Sequence, residues 1–157
     1  MPLNTFAKAK APTKIAAARR GKVAEGKVRD YLRALEDSTM QFTFNRIGDA
    51  GAAGGAFAAQ SGDYQAFGWG KNWLIEVKEL QHAYRLPHAS FGAEQVARMQ
   101  KRALAGTVPV VLIYHRNEKV WRCPPFATFL TRVGGSWDFR DLKTSTLAEI
   151  MEAIFES

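Results

Sequence analysis

The stretch SGDYQAFGWGKNWLIEVKEL, residues 61–80, constrains the fold more than any other. Its second half is dominated by Trp73, Leu74, Ile75 and Val77, the composition of a strand buried in a sheet. Yet it carries Glu76 and Lys78 two residues apart. In a strand, side chains at i and i+2 share a face, so these two stand together ~7 Å apart along the chain, while Ile75 and Val77 turn the other way into the core. Upstream, a strand begins near Asp63 and runs through Phe67, and GWGKN supplies the turn of a hairpin. Pairing within that hairpin can bring Asp63 beside Glu76.

Two crowded carboxylates repel unless a cation lies between them. A hard divalent ion suits the donors, since Mg²⁺ takes oxygen ligands and keeps several waters. One such water is a nucleophile in waiting. Lys78 alongside can orient or deprotonate it and can balance charge on phosphorus in the transition state. The polar face of an apolar strand therefore points to a metal-dependent phosphodiesterase. Taken alone, Glu-x-Lys reads first as a surface ion pair on a half-exposed sheet, contributing roughly 0–1 kcal/mol. The hairpin-spaced Asp63, an upstream helical Glu25 and a basic segment move the balance toward chemistry.

The remaining pattern is that of one α/β domain. A helix is expected from about Arg20 to Glu36, with Ala24, Val28, Tyr31, Leu32 and Leu35 in an apolar stripe and Glu25 at its border. TMQFTFNRI alternates as a strand with Met40, Phe42 and Phe44 on one face. Residues 48–62, rich in Gly and Ala, read as a flexible loop anchored by Phe57. Residues 91–105 read as a helix, VPVVLIYH as a central strand and EKVWRC as the next strand of a hairpin. PPFATFLTRV opens with proline at a helix start. Thr146 and Glu149 form a capping box before a closing helix bearing Leu147, Ile150, Met151, Ile154 and Phe155. The order predicts a mixed sheet flanked by helices, with a basic segment over 1–19 that is a mobile arm or a loosely docked helix, and a single domain over 20–157.

Charge separates along the chain. Residues 1–33 hold nine basic side chains (Lys8, Lys10, Lys14, Arg19, Arg20, Lys22, Lys27, Arg29 and Arg33) against Glu25 and Asp30, which accounts for the whole net charge of +7. Such a segment on a neutral body suits a polyanion, because neutralised phosphates release condensed counterions. A solubilising tail is the plainer reading of a charge run. An acid-free start with Ala and Arg is also similar to a transit peptide, but it has few hydroxyl residues and runs straight into a helix, so targeting is not expected. The lone Cys123 excludes an internal disulfide and a Cys-built zinc site and favours a reducing compartment. His82, His88 and His115 lack metal-ligand spacing. No run approaches eighteen apolar residues, so no membrane span is expected.

Gly62-Asp63-x(12)-Glu76-Val77-Lys78 resembles the PD-(D/E)xK nuclease motif, and its surroundings resemble the RecU-type Holliday junction resolvases. RRGKVAE is similar to that family's Arg-Gly-x-x-x-Glu segment and places Glu25 at its acidic position. IEVKE, the region of Pro87, Phe91 and AEQVARM, and GTVPVVLIYH are similar to its later segments, over roughly residues 19–130. The resemblance implies a restriction-endonuclease-like core and a homodimer that nicks four-way junctions or other branched DNA with Mg²⁺, Mn²⁺ being able to substitute. It implies Asp63 and Glu76 as metal ligands, together with the Val77 carbonyl and Glu25. Lys78 would position the attacking water, and Gln95 would orient Lys78 or the substrate backbone. Read without the family, Gln95 is an ordinary exposed helix residue and Glu25 a same-face helix partner of Arg29 or Lys22.

DNA-backbone contacts are expected from the basic segment, joined by Arg46, Lys71, Arg98, Lys101 and Arg102, with Trp69 stacking on a base or packing in a dimer. The expected location is the cytoplasm, of a cell or of a phage host. Two departures stand out: Glu94 replaces the family's His before Gln95, and the interval 48–62 is too small for the family's junction-entering stalk. A less selective nicking nuclease of phage type and a non-catalytic basic nucleic-acid-binding protein are the alternatives.

Overall fold

The computed structural model describes residues 14–48, 62–81 and 84–157, and for 14–21 the backbone alone. Helix α1 spans Lys14–Ser38. It is already helical at Lys14, ahead of the expected start near Arg20, because the Ala- and Arg-rich residues before Arg20 are strong helix formers and nothing among them breaks the helix. Residues 14–19 of the basic segment over 1–19 are helical, one of its two expected forms; residues 1–13 lie outside the described residues, as do 49–61 of the Gly/Ala-rich segment, with Phe57, and His82.

Strands β1 (Phe42–Arg46), β2 (Tyr64–Gly68) and β3 (Lys71–Leu80) form an antiparallel meander. Met40 is an exception to the expected alternation: it falls in the turn before β1 and is fully exposed, while Phe42 is buried. The β2–β3 hairpin closes through Trp69 and Gly70, with φ of 51° and 75°. Two central residues with positive φ are what a two-residue I′ turn demands, and glycine supplies the second at no steric cost.

After a short strand β4 (Arg85–Pro87) and a 3₁₀ turn at His88–Ser90, helix α2 (Ala93–Leu104) crosses over to β5 (Val108–His115), which runs parallel to β3. Strand β6 (Val120–Arg122) returns antiparallel, giving a five-stranded sheet in the order β1-β2-β3-β5-β6. The segment expected as a helix from Pro124 shortens to a 3₁₀ turn at Phe126–Leu130. Thr128 and Thr131 are β-branched, and Gly134 and Gly135 both take positive φ, so a longer helix finds no support there. Strand β7 (Ser136–Asp138) then pairs with β4 as a separate two-stranded ribbon. Helix α3 (Leu147–Glu156) closes the chain.

The central strand sorts its side chains by face. Trp73, Ile75 and Val77 join Ala24, Val28 and Leu32 of α1 and Met151 of α3 in one core. Leu74 and Leu80 join Phe91, Val96 and Met99 of the α2 region, with Phe129, Trp137 and Phe139, in a second core on the opposite face. Among the described residues no helix is long and apolar enough to cross a membrane.

The α3 start is capped as its sequence predicts. Thr146 Oγ1 accepts from Glu149 N at 3.2 Å, and its hydroxyl donates to Glu149 Oε1 at 3.1 Å. Thr146→Ala is expected to cost about 1 kcal/mol, read as a fall in melting temperature of roughly 2–4 °C. An unchanged melting temperature would mean that the cap contributes nothing.

Candidate active site

Register builds the site. Tyr64 lies opposite Ile75, so the preceding Asp63 lies opposite Glu76 on the face away from α1. Asp63 is held at both sides by backbone bonds: its N–H donates to Ile75 O at 2.8 Å and its carbonyl accepts from Ile47 N at 2.9 Å. Its side-chain Oδ2 accepts from Val77 N at 2.7 Å. The residue before it is closely packed. A Cβ on Gly62 would sit 3.0 Å from Leu74 Cδ1 and 3.2 Å from Ile75 O, too close without rearrangement.

Glu76 is almost fully buried, and its Oε1 lies 2.8 Å from Lys78 Nζ. Burial pushes the Glu76 pKa up; Lys78 and a hydrogen bond from Gln95 of α2 oppose this, and Glu25 adds repulsion. Its Oε2 is nonetheless buried without a hydrogen-bond partner of good geometry among the described residues. Asp63 responds in the same way. Burial first, then the Glu76 charge, push its pKa up to about 7, against the opposing Val77 N–H, Lys78 and Arg46. Lys78 is itself mostly enclosed, with Nζ 5.0 Å from the centre of the Phe91 ring.

Glu25 comes from α1 and lies at the border of this cluster. Its Oε2 is 3.4 Å from an Arg46 guanidinium nitrogen, and its main-chain carbonyl accepts from the Tyr64 hydroxyl at 3.0 Å. Asp63, Glu76, Lys78 and Gln95 are thus brought together, with Glu25 and Arg46 beside them. Among the described residues no three His, Cys, Asp or Glu side chains are grouped closely enough to hold a metal ion by themselves.

The basic residues distribute unevenly. Arg46 is within electrostatic reach of Asp63. Arg98 and Lys101 line a shallow groove on the outer side of α2 with Glu94 and Ala97, and Arg102 is exposed on the same helix. Lys22 is exposed on α1, whereas the side chains of Lys14, Arg19 and Arg20 and the whole of Lys8 and Lys10 lie outside the described residues. Lys71 sits at the other end of β3 from the carboxylates, where it donates to the Ser157 carbonyl. Trp69 is packed at that same end against Phe42, Trp73 and Phe155.

Sequence reasoning did not find the aromatic support under Lys78 or the pairing of Glu25 with Arg46. Phe91, four residues before Gln95, was a usable signal for the first; the second joins segments 21 residues apart and left none.

The donor set fits a hard divalent cation. Two carboxylates whose pKa values are raised first by burial and then by neighbouring negative charge, one with an oxygen lacking a partner, form an oxygen-only site that such an ion would complete.

No protein-family model matches the chain, and no curated protein does. Among solved structures, the chain is similar to Hjc of Archaeoglobus fulgidus, described as a Holliday junction resolvase from an archaeal hyperthermophile. The two share 23% identity, with 83% of this chain and 98% of that one covered at a TM-score of 0.56. The likeness establishes the fold: a mixed sheet flanked by helices, of the restriction-endonuclease-like kind found in resolvases. The neighbour is an archaeal resolvase rather than one of the RecU type suggested by the sequence motifs.

Proposed function

We propose that this chain is a divalent-metal-dependent DNA endonuclease that hydrolyses phosphodiester bonds in branched DNA, with Holliday junctions as the leading substrate. The observation that carries the reading is the pair of crowded carboxylates, Asp63 and Glu76, on one face with Lys78 at 2.8 Å from Glu76. The fold shared with an archaeal resolvase supports it, and so does the RecU-like order of motifs.

Asp63 and Glu76 would hold Mg²⁺, or Mn²⁺ in its place, with the Val77 carbonyl and with Glu25 directly or through water. When bound, the cation supplies charge neutralisation at the scissile phosphate and a more acidic water. Lys78 Nζ would position an attacking water and offset the charge that develops on the phosphoryl oxygens. The Phe91 ring and the surrounding core limit where Nζ can go, so its position is set before substrate arrives. Gln95 orients the Glu76 carboxylate and hence Lys78. Arg46, Arg98, Lys101, Arg102 and the basic N-terminal segment would contact DNA phosphates. Resolution of a four-way junction requires two symmetric nicks, so a homodimer with one site per subunit follows.

The Gly/Ala-rich segment between β1 and β2 favours a second reading, a nicking nuclease with looser selectivity, because it is too small to form a stalk that enters a junction. One assay separates these readings. Wild type and Asp63→Asn are incubated with a four-way junction, a flap and a linear duplex, with and without Mg²⁺. Cleavage confined to branched DNA, dependent on Mg²⁺ and lost in the variant, is expected. Equal cleavage of linear duplex removes the junction preference. Binding without cleavage by wild type leaves only a basic DNA-binding protein.

A further inference from the structure

A second charged cluster lies on the same face of the sheet as the carboxylates. Lys78 is opposite Ile113, and Ile113 is opposite Arg122, so Lys78 and Arg122 are two strand spacings apart, about 10 Å. Arg122 is buried, yet both its hydrogen-bond partners are neutral. Its Nε donates to Leu142 O at 2.9 Å, and an Nη donates to His115 Nε2 at 2.9 Å. Accepting that bond requires Nε2 to be unprotonated. Burial and the Arg122 charge accordingly lower the His115 pKa, with Glu118 opposing. Among the described residues no carboxylate lies within ion-pair distance of Arg122. Buried charges are ordinarily paired.

The cluster continues outward. The Tyr84 ring lies 5.3 Å from the Arg122 guanidinium carbon and 5.5 Å from that of Arg140. Asp138 is shared between Arg85 at 3.4 Å and Arg140 at 3.8 Å. Two guanidinium groups therefore share one carboxylate, with a third guanidinium, Arg122, across the Tyr84 ring, and the side chains of Arg85 and Arg140 remain 62% and 63% exposed. A guanidinium laid against an aromatic ring is oriented in advance and can still present two parallel N–H groups to a phosphate.

We propose that Tyr84, Arg85 and Arg140, seated over the buried Arg122, form a docking surface for the phosphate backbone of a DNA arm flanking the cleavage site. The β4–β7 ribbon carries Arg85 and Asp138, so the ribbon serves as the platform of this surface. The choice of DNA as the polyanion rests on the functional reading above; the excess of positive charge does not.

The experiment reads binding without cleavage. Fluorescence anisotropy of the full chain is measured with a labelled four-way junction and a linear duplex, without divalent metal, over a series of salt concentrations. Arg140→Glu is expected to weaken binding to both DNAs several-fold and to reduce the salt slope by about 1. Arg85→Glu should do the same, and Arg140→Lys should keep the slope. Lys143→Glu, which makes the same charge reversal on the α3 side beside Glu149, should leave affinity unchanged. Wild-type affinity and slope in both Arg140→Glu and Arg85→Glu, or an equal loss in Lys143→Glu, overturns the proposal. Because no cleavage is read, a chain that binds but never cuts leaves this surface standing. A chain that cuts while both variants bind like wild type removes the surface alone.

Discussion

Lys78→Ala is expected to lower the Mg²⁺-dependent single-turnover cleavage rate by roughly 10²–10⁴-fold, the usual range for losing a group that manages protons or charge in a transition state. Two effects combine. The substitution removes the only cation within ion-pair distance of Glu76 among the described residues, at 2.8 Å. It also removes the largest influence holding the Glu76 pKa down, so a carboxyl already raised by burial moves further toward its neutral form and becomes a poorer metal ligand. Junction binding should stay within a few-fold of wild type, since Lys78 is only 17% exposed and offers little to the DNA backbone. Lys78→Arg should not restore the rate, because a planar fork cannot occupy the position of a compact ammonium packed on Phe91. A rate within tenfold of wild type in Lys78→Ala would take this residue out of the mechanism.

Asp63 gives the second large effect, and it couples stability to activity in opposite directions. Its folded-state pKa of about 7 lies above the ordinary value of 3.8, so the folded protein holds this proton more tightly than the unfolded chain does. The stability that follows is fully present below about pH 4 and is lost as pH rises through about 7. Above that, an ionised Asp63 faces Glu76 in the metal-free protein. Across a window of this width the loss is on the order of a few kcal/mol. Asp63→Asn keeps an oxygen to accept the Val77 N–H but carries no charge, so it should not show this loss. At pH 8 without metal the variant is expected to melt several degrees above wild type, with the gap closing toward pH 4. Saturating Mg²⁺ should raise the wild-type melting temperature and leave the variant's almost unchanged, while cleavage by the variant is abolished. A difference in melting temperature that does not vary with pH would contradict the crowding of the two carboxylates.

Much of this was legible in the sequence for a simple reason. The β2–β3 hairpin is local, so spacing was enough to bring Asp63 beside Glu76, and the two-residue turn seen in the structure sets them opposite on one face. The apolar run from Val108 to His115 likewise announced a strand buried on both faces, and it pairs in parallel with β3 through a helical crossover. Legibility failed where order depends on distant partners. Strands β4 and β7 are three residues each, one of them ending in proline, and they exist because they pair across an interval of about fifty residues. The basic cluster built on them was hidden for the same reason, since Tyr84, Arg122 and Arg140 are far apart in sequence. Conversely, the proline at the start of residues 124–133 overstated a helix, because a start signal says nothing about whether the following residues can continue it.

The two-residue turn at Trp69 and Gly70 has a consequence for how such a protein can vary. It determines, by parity, the side of the sheet on which Asp63 appears. An insertion of one residue that shifted the pairing by one would send that carboxylate to the side of α1, leave Glu76 and Lys78 where they are, and bury a charge among Ala24, Val28 and Leu32. Changes of length at this bend are therefore silent only in steps of two. A tip far from the reacting groups is held to a stricter arithmetic than many residues closer to them.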